Sequence, residues 1–200
     1  MNLFTEEAQD IYRLKVPFDN LYTSVFLIRS GREFALVDTA SSDYDVDEYI
    51  IPALKECQIP FKDIRYLVLS HSHSDHAGGL DRLLFHIPHL TVIREVRALW
   101  DEISTYPLAG HTRDAIGVFD GRTKTLITAD GLQGAGVGKY RCHTESASEY
   151  IETIRRIQED KRIENLLFAH AYEPWYRDSA RGRKETEECL LDCLSCVKCF

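Results

Sequence analysis

The chain has 200 residues, 44% of them hydrophobic, and 24 Lys and Arg against 32 Asp and Glu give a formal net charge of −8. That apolar content fills one sizeable core, and the negative balance argues against a nucleic-acid partner, which needs a basic face to displace counterions from phosphates. The stretch Met1 to Glu7 lacks a basic region followed by an apolar one, and no run reaches the ~20 apolar residues of a membrane span, so a cytoplasmic protein with no membrane partner and reduced thiols is expected.

Residues 11–17 and 22–29 read as strands, and Ser30-Gly31-Arg32-Glu33 is a turn into a third, Phe34 to Val37, completing an amino-terminal β-meander. Asp38 then stands where that strand runs out into a loop; a turn or helix cap is the plain reading of its carboxylate. Val46 to Cys57 has helical patterning, in which Pro52 must either open the regular part or kink it. Tyr66-Leu67-Val68-Leu69 is too short for a helix and branched enough for a buried parallel strand. At its carboxyl end lies His71-Ser72-His73-Ser74-Asp75-His76. Four metal-capable side chains thus occupy the loop position where open α/β sheets bind ligands, and imidazole with carboxylate suits zinc.

Ala77-Gly78-Gly79 lets the backbone turn away, and Leu80 to Phe85 continues as a helix with Leu80, Leu83 and Leu84 on one face. Leu90 to Ile93 is a short strand; Arg94 to Ile103 is predicted as a helix from the spacing of Val96, Leu99, Trp100 and Ile103. His86 and His89 are read as surface or packing residues. Tyr106 to Gly110 leads to His111. Ala115 to Phe119 and Thr125 to Ala129 form strands about an Asp120-Gly121 turn, the second ending at Asp130. A Gly-rich loop, Gly131 to Gly138, follows. Ser146 with Glu149 forms a capping box for a helix burying Ala147, Tyr150, Ile151, Ile154 and Ile157. Leu166 to Ala169 is the last buried strand and delivers His170.

With His71, His73, Asp75, His76, His111, Asp130 and His170 in that order, the chain resembles the metallo-β-lactamase-fold hydrolase superfamily, whose mark is H-x-H-x-D-H followed by three spaced ligands. The resemblance runs from the Phe34 to Asp38 strand through His170. It implies an α/β fold, an αββα sandwich of two sheets with helices outside and a dinuclear metal site at their edges. By the family pattern His71, His73 and His111 hold one metal, Asp75, His76 and His170 the other, and Asp130 bridges them. Asp38 matches a family position that supports the ligands from behind. Within the superfamily the chain looks most like hydroxyacylglutathione hydrolase, or glyoxalase II. Gly136-Val137-Gly138-Lys139-Tyr140 and His170-Ala171-Tyr172 are similar to that family's G-x-G-K-F and G-H-E-Y stretches. Lys139, Arg141 and Tyr172 become substrate-binding candidates, and the implied partner is an anionic small molecule. Arg141 stands where the family has an aromatic residue, and only 30 residues follow His170, too few for the helical domain that completes the glutathione site, so the chemistry is carried over without the substrate.

Two further departures set expectations. The family's P-G-H-T-x-G is here Ala109-Gly110-His111-Thr112-Arg113-Asp114, and 34 residues separate His76 from His111. A strand and a helix consume most of those residues, leaving about five, or roughly 17 Å of extended chain, to reach His111. A shortened second sheet follows.

The resemblance implies two zinc ions, with iron as the alternative. Two such cations lower the pKa of a bridging water toward neutrality, and Asp75 and Asp130, as the catalytic residues, orient the resulting hydroxide for attack on a thioester, ester or lactone. An iron oxidoreductase of the sulfur dioxygenase type, and a metal-binding protein without turnover, are the competing readings. Residues 1–200 read as one domain ending in a Cys-rich helix over 183–200, where Cys189, Cys193 and Cys196 recur at i, i+4 and i+7 with Cys199 beyond. Buried hydrophobes and a cysteine metal clamp both fit them. The oligomeric state is left open.

Overall fold

The first six strands pair in chain order, so the amino-terminal half of the molecule builds its sheet from neighbours in sequence. The structure, a computed structural model, describes residues 3–132, 144–172 and 176–197. Two compact units emerge, Met1–Arg94 and Glu95–Phe200. Among the described residues no helix is long and apolar enough to cross a membrane.

In the first unit, β1 (Thr5–Ala8), β2 (Ile11–Phe18), β3 (Leu21–Ser30) and β4 (Glu33–Val37) form the expected antiparallel meander. The Gly31 turn between β3 and β4 has φ +62°, a left-handed backbone that glycine adopts without steric cost. A parallel strand cannot follow through a tight turn, so the chain next crosses over through helices. It does so by α1 (Asp43–Asp45), a π-helical turn (Val46–Ile50) and α2 (Ile51–Glu56), then adds β5 (Ile64–Val68) parallel to β4. Pro52 accounts for the π turn. It has no N–H and its ring would crowd the carbonyl four residues back; the helix widens just before it, with Ile51 N–H donating to Val46 O. After β5 come α3 (Ser74–Ala77), α4 (Leu80–His86) and β6 (Thr91–Ile93), again parallel. Leu83 is fully buried and Leu80 and Leu84 pack partly against the same core as Leu14, Leu36, Leu54 and Leu67.

In the second unit the helix expected over 94–103 is a β-hairpin, β7 (Ala98–Trp100) and β8 (Ile103–Pro107), paired Ala98 with Ser104 and Trp100 with Ile103. Leu99 and Ile103 are buried in either geometry, but Val96, which a helix would have placed on their face, is 56% exposed. A short apolar run does not distinguish the two periods, and here pairing with the rest of the sheet decides. β9 (Ile116–Asp120) and β10 (Thr125–Ala129) continue the antiparallel pattern, α5 (Ala147–Glu159) crosses over, and β11 (Asn165–Phe168) lies parallel to β10. A two-residue strand β12 (Ser179–Ala180) and helix α6 (Gly182–Val197) complete it. The sheet order is β12-β11-β10-β9-β8-β7, six strands like the first sheet, so the second sheet is not shortened. The segment that looked consumed by a helix supplies two of those strands.

Tyr150, Ile154 and Ile157 of α5 and Cys189, Leu190, Cys193 and Val197 of α6 share one core with Leu126, Leu166 and Phe168. Thr153 takes the remaining buried place on α5, where Ala147 is exposed. Half of the capping box forms: Glu149 N donates to Ser146 Oγ at 3.3 Å, while Ser146 N donates to Gly110 O at 3.2 Å. The Cys189 and Cys193 side chains are buried inside this core. Cys142, Cys199 and the Cys196 side chain lie outside the described residues.

Candidate metal centre

In the first unit the parallel register Val37 with Val68 brings the residues just beyond β4 beside those just beyond β5. Asp38, at φ +67°, donates its N–H to Val68 O at 2.9 Å and turns its carboxylate under the ligand loop. Oδ1 accepts the Ser70 N–H at 2.7 Å; Oδ2 accepts the Ser70 hydroxyl at 2.8 Å and His76 Nδ1–H at 2.7 Å. Asp38 and Ser70 are each 1% exposed. The cap reading of Asp38 therefore gives way to a supporting role beneath His76. Burial without partners would cost a carboxylate several kcal/mol, and three short donors offset that.

His73, Asp75 and His76 sit on or beside a single helical turn rather than a free loop, closed by Ala77 N–H donating to His73 O at 2.9 Å. Its outer face is clamped by residues from other strands. Thr39 N and Oγ1 both donate to His76 O, at 2.7 and 3.0 Å, and Thr23 Oγ1 donates to Asp75 O at 3.2 Å. Gly78 and Gly79 pass so close to this clamp that a Cβ would collide with the carbonyls of Ser41 and Thr39. His71 Nε2 lies 3.1 Å from His73 Nδ1, and His76 Nε2 lies 3.6 Å from Asp75 Oδ2.

In the second unit three loops deliver one residue each. β8 ends at Pro107 and three further residues reach His111; Asp130 directly follows β10; and the parallel pairing of Ala129 with Phe168 sets His170 beside it. Asp130 divides its carboxylate: Oδ2 is 3.7 Å from His111 Nε2 and Oδ1 is 3.4 Å from His170 Nε2. His111, Asp130 and His170 are all buried. Tyr172 packs its ring 5.3 Å from that of His170. Lys139 and Arg141, the other expected substrate contacts, lie outside the described residues.

Residues 19–101 match the Metallo-beta-lactamase superfamily model. Among solved structures, the metallo-β-lactamase FIM-1 from Pseudomonas aeruginosa, in a mono-zinc form, superposes with a TM-score of 0.75 at 16% identity, covering 98% of this chain and 96% of its own. A metallo-β-lactamase from Erythrobacter litoralis gives 0.73 at 17% identity, with 98% and 96% covered. The chain has the metallo-β-lactamase fold. By sequence it is similar to the hydroxyacylglutathione hydrolase of Prochlorococcus marinus, 25% identical over 186 residues, which are 83% of this chain and 70% of that protein. A beta-lactamase-like protein 2 homolog of Caenorhabditis elegans is 24% identical over 165 residues, 72% of this chain and 54% of its own. An atrochrysone carboxyl ACP thioesterase of Aspergillus chevalieri is 35% identical over 68 residues, 34% of this chain and 21% of that protein.

A His and Asp set on the metallo-β-lactamase fold implies a divalent cation, and the spacings within each unit fit one. Two donors about 2.0–2.1 Å from one tetrahedral cation stand about 3.3 Å apart. The four pairs lie 3.1 to 3.7 Å apart, and the longer three exceed hydrogen-bond length. His86, set aside from the sequence, bonds Asp47 Oδ1 at 2.7 Å beside Arg82 instead. Ser70, Thr39 and Thr23 were missed by the sequence reading. Only Ser70 carried a signal, its place between the buried strand and His71.

Proposed function

We propose that this protein is a dinuclear zinc-dependent hydrolase acting on a thioester, ester or lactone of a small anionic substrate. The reading assigns His71, His73 and His111 to one cation, Asp75, His76 and His170 to the other, and Asp130 to both. The observation that carries it is the divided carboxylate of Asp130, whose two oxygens face two different histidines at 3.7 and 3.4 Å. A carboxylate held by one cation has no need of that arrangement.

When bound, two such cations would lower the pKa of a shared water toward neutrality and polarise the substrate carbonyl. The chain's residues supply the rest. Asp75 and Asp130 would place negative charge where such a water is held, orienting it while balancing part of the cations' charge. Asp38, through His76 Nδ1, keeps the lone pair of that imidazole on Nε2. Tyr172, whose ring packs against that of His170, is a candidate substrate contact, and Lys139 and Arg141 are the cationic candidates for the substrate's anionic group. The β7–β8 hairpin, which brings the chain to within a few residues of His111, supports this reading over the one without turnover.

Elemental analysis of the purified protein tests the proposal, followed by a screen of thioesters and lactones. Two zinc ions per chain, one lost in His111→Ala, with hydrolysis that fails in Asp130→Asn, is the expected result. Iron at the same stoichiometry with sulfur oxidation in place of hydrolysis would replace it by the oxidoreductase reading.

A further inference from the structure

We propose that Ser70 is a positioning residue that carries the charge of Asp38 to His71, so that one buried carboxylate orients a ligand of each metal. This rests on the metal-centre reading above.

A serine hydroxyl has one proton to give and two lone pairs. Ser70 Oγ lies 2.8 Å from Asp38 Oδ2 and 2.9 Å from His71 Nδ1. An ionised carboxylate only accepts, so the Ser70 proton goes to Asp38. Ser70 then faces His71 with a lone pair, and His71 Nδ1 must carry the proton of that bond. The remaining lone pair of His71 is therefore on Nε2, the atom 3.1 Å from His73 Nδ1. His76 follows the same rule by a shorter path. Its Nδ1 is 2.7 Å from Asp38 Oδ2 and 3.5 Å from Ser70 Oγ, so Asp38 takes that proton directly.

The two imidazoles lie side by side at this junction, their centroids 4.2 Å apart and their planes inclined at 46°, one oriented through the serine and one by the carboxylate itself. Asp38 Oδ1 meanwhile accepts the Ser70 N–H at 2.7 Å, which locks the serine backbone relative to the same carboxylate. Removing the hydroxyl should release only His71, whereas removing the carboxylate's charge should release both rings. An ordinary packing residue would not produce that asymmetry.

Nitrogen-15 NMR of the imidazoles, on full-length protein with and without zinc, reads it directly in Ser70→Ala, Ser70→Thr and Asp38→Asn. In the parent, His71 and His76 should both be protonated at Nδ1. Without zinc, which would itself fix the proton on Nδ1, Ser70→Ala should give mixed tautomers at His71 alone, Asp38→Asn at both rings, and Ser70→Thr should restore the parent pattern. Zinc affinity at the His71 site should fall about 10- to 100-fold in Ser70→Ala, the range seen when such supporting bonds are lost. Unchanged His71 tautomers in Ser70→Ala, or His76 changing with it, would overturn the proposal. If the parent binds no zinc, the metal-centre reading fails, while the tautomer pattern of the metal-free protein still decides the relay.

Discussion

Gly110→Ala should both destabilise the protein and cost it the ligand that follows. Gly110 has φ +140°, and a Cβ there would stand 2.5–2.7 Å from the Cα, Cβ and N of Tyr150, a residue with no exposed surface. The contact is backbone on one side and core on the other, so neither can move away cheaply. The loop is also tied to the start of α5: Ser146 N donates to Gly110 O, Glu145 N to His111 O at 3.2 Å, and Thr153 Oγ1 to Ala109 O at 2.7 Å. Forcing a side chain into that backbone region costs about 1–3 kcal/mol, and overpacking against Tyr150 adds about 1–3 kcal/mol. A total of about 2–6 kcal/mol corresponds to a fall in melting temperature of roughly 5–20 °C. Gly182→Ala is the control, because its φ of +74° is left-handed but nothing lies within 4 Å of the added carbon. It should lose only the dihedral cost, about 1–2 kcal/mol. Thermal unfolding by circular dichroism, with zinc content on the same samples, measures both. Gly110→Ala melting no lower than Gly182→Ala, or keeping its full metal content, would refute the claim that this close approach positions His111.

Chelation should lower the melting temperature of the parent: a cation at 100 times its Kd contributes about 2.7 kcal/mol, and calorimetry before and after stripping should show a loss of roughly 5–10 °C. An unchanged transition would count against the metal centre. Hydrogen bonds from Arg82 and then His86 bring the Asp47 carboxyl down to about 2. A lowered folded pKa stabilises above the ordinary value of 3.8 and is lost as pH falls toward 2, so Asp47→Asn should flatten the acid limb of the stability curve between those values. Burial, and then the charge of Asp160, push the Tyr106 phenol up to about 12. A raised folded pKa holds the proton more tightly in the native state, so this contribution is complete below pH ~10 and lost as pH rises from there toward 12. Tyr106→Phe should accordingly resist base unfolding in that window better than the parent, measured by fluorescence against pH. Gly78→Ala, whose Cβ would strike Ser41 O, should unfold at lower temperature and lose zinc, while Gly31→Ala, in open space, should keep its metal.

The seven candidate ligand positions were legible because their order and spacing resemble those of a known family, and six of them also follow a short branched strand, where open sheets present side chains to a ligand. The meander of β2 to β4, the strands β5, β9, β10 and β11, and the stripe of α4 and most of α5 were legible for a related reason. Their apolar period is local and their ends carry Gly, Asp or Ser. What the sequence could not decide was any feature whose partner is distant along the chain. Residues 94–103 satisfy a helical period and a hairpin equally, and only hydrogen bonding to β9 chooses the hairpin. Pro52 announced a break but not the π turn that absorbs it. Asp38 offered both a cap and the supporting place that the resemblance implied, and only the parallel pairing of β4 with β5 brings it under Ser70, 32 residues along the chain. Periodicity belongs to the chain, whereas register, close approach and proton sharing belong to pairs of segments, and the tertiary structure alone brings those pairs together.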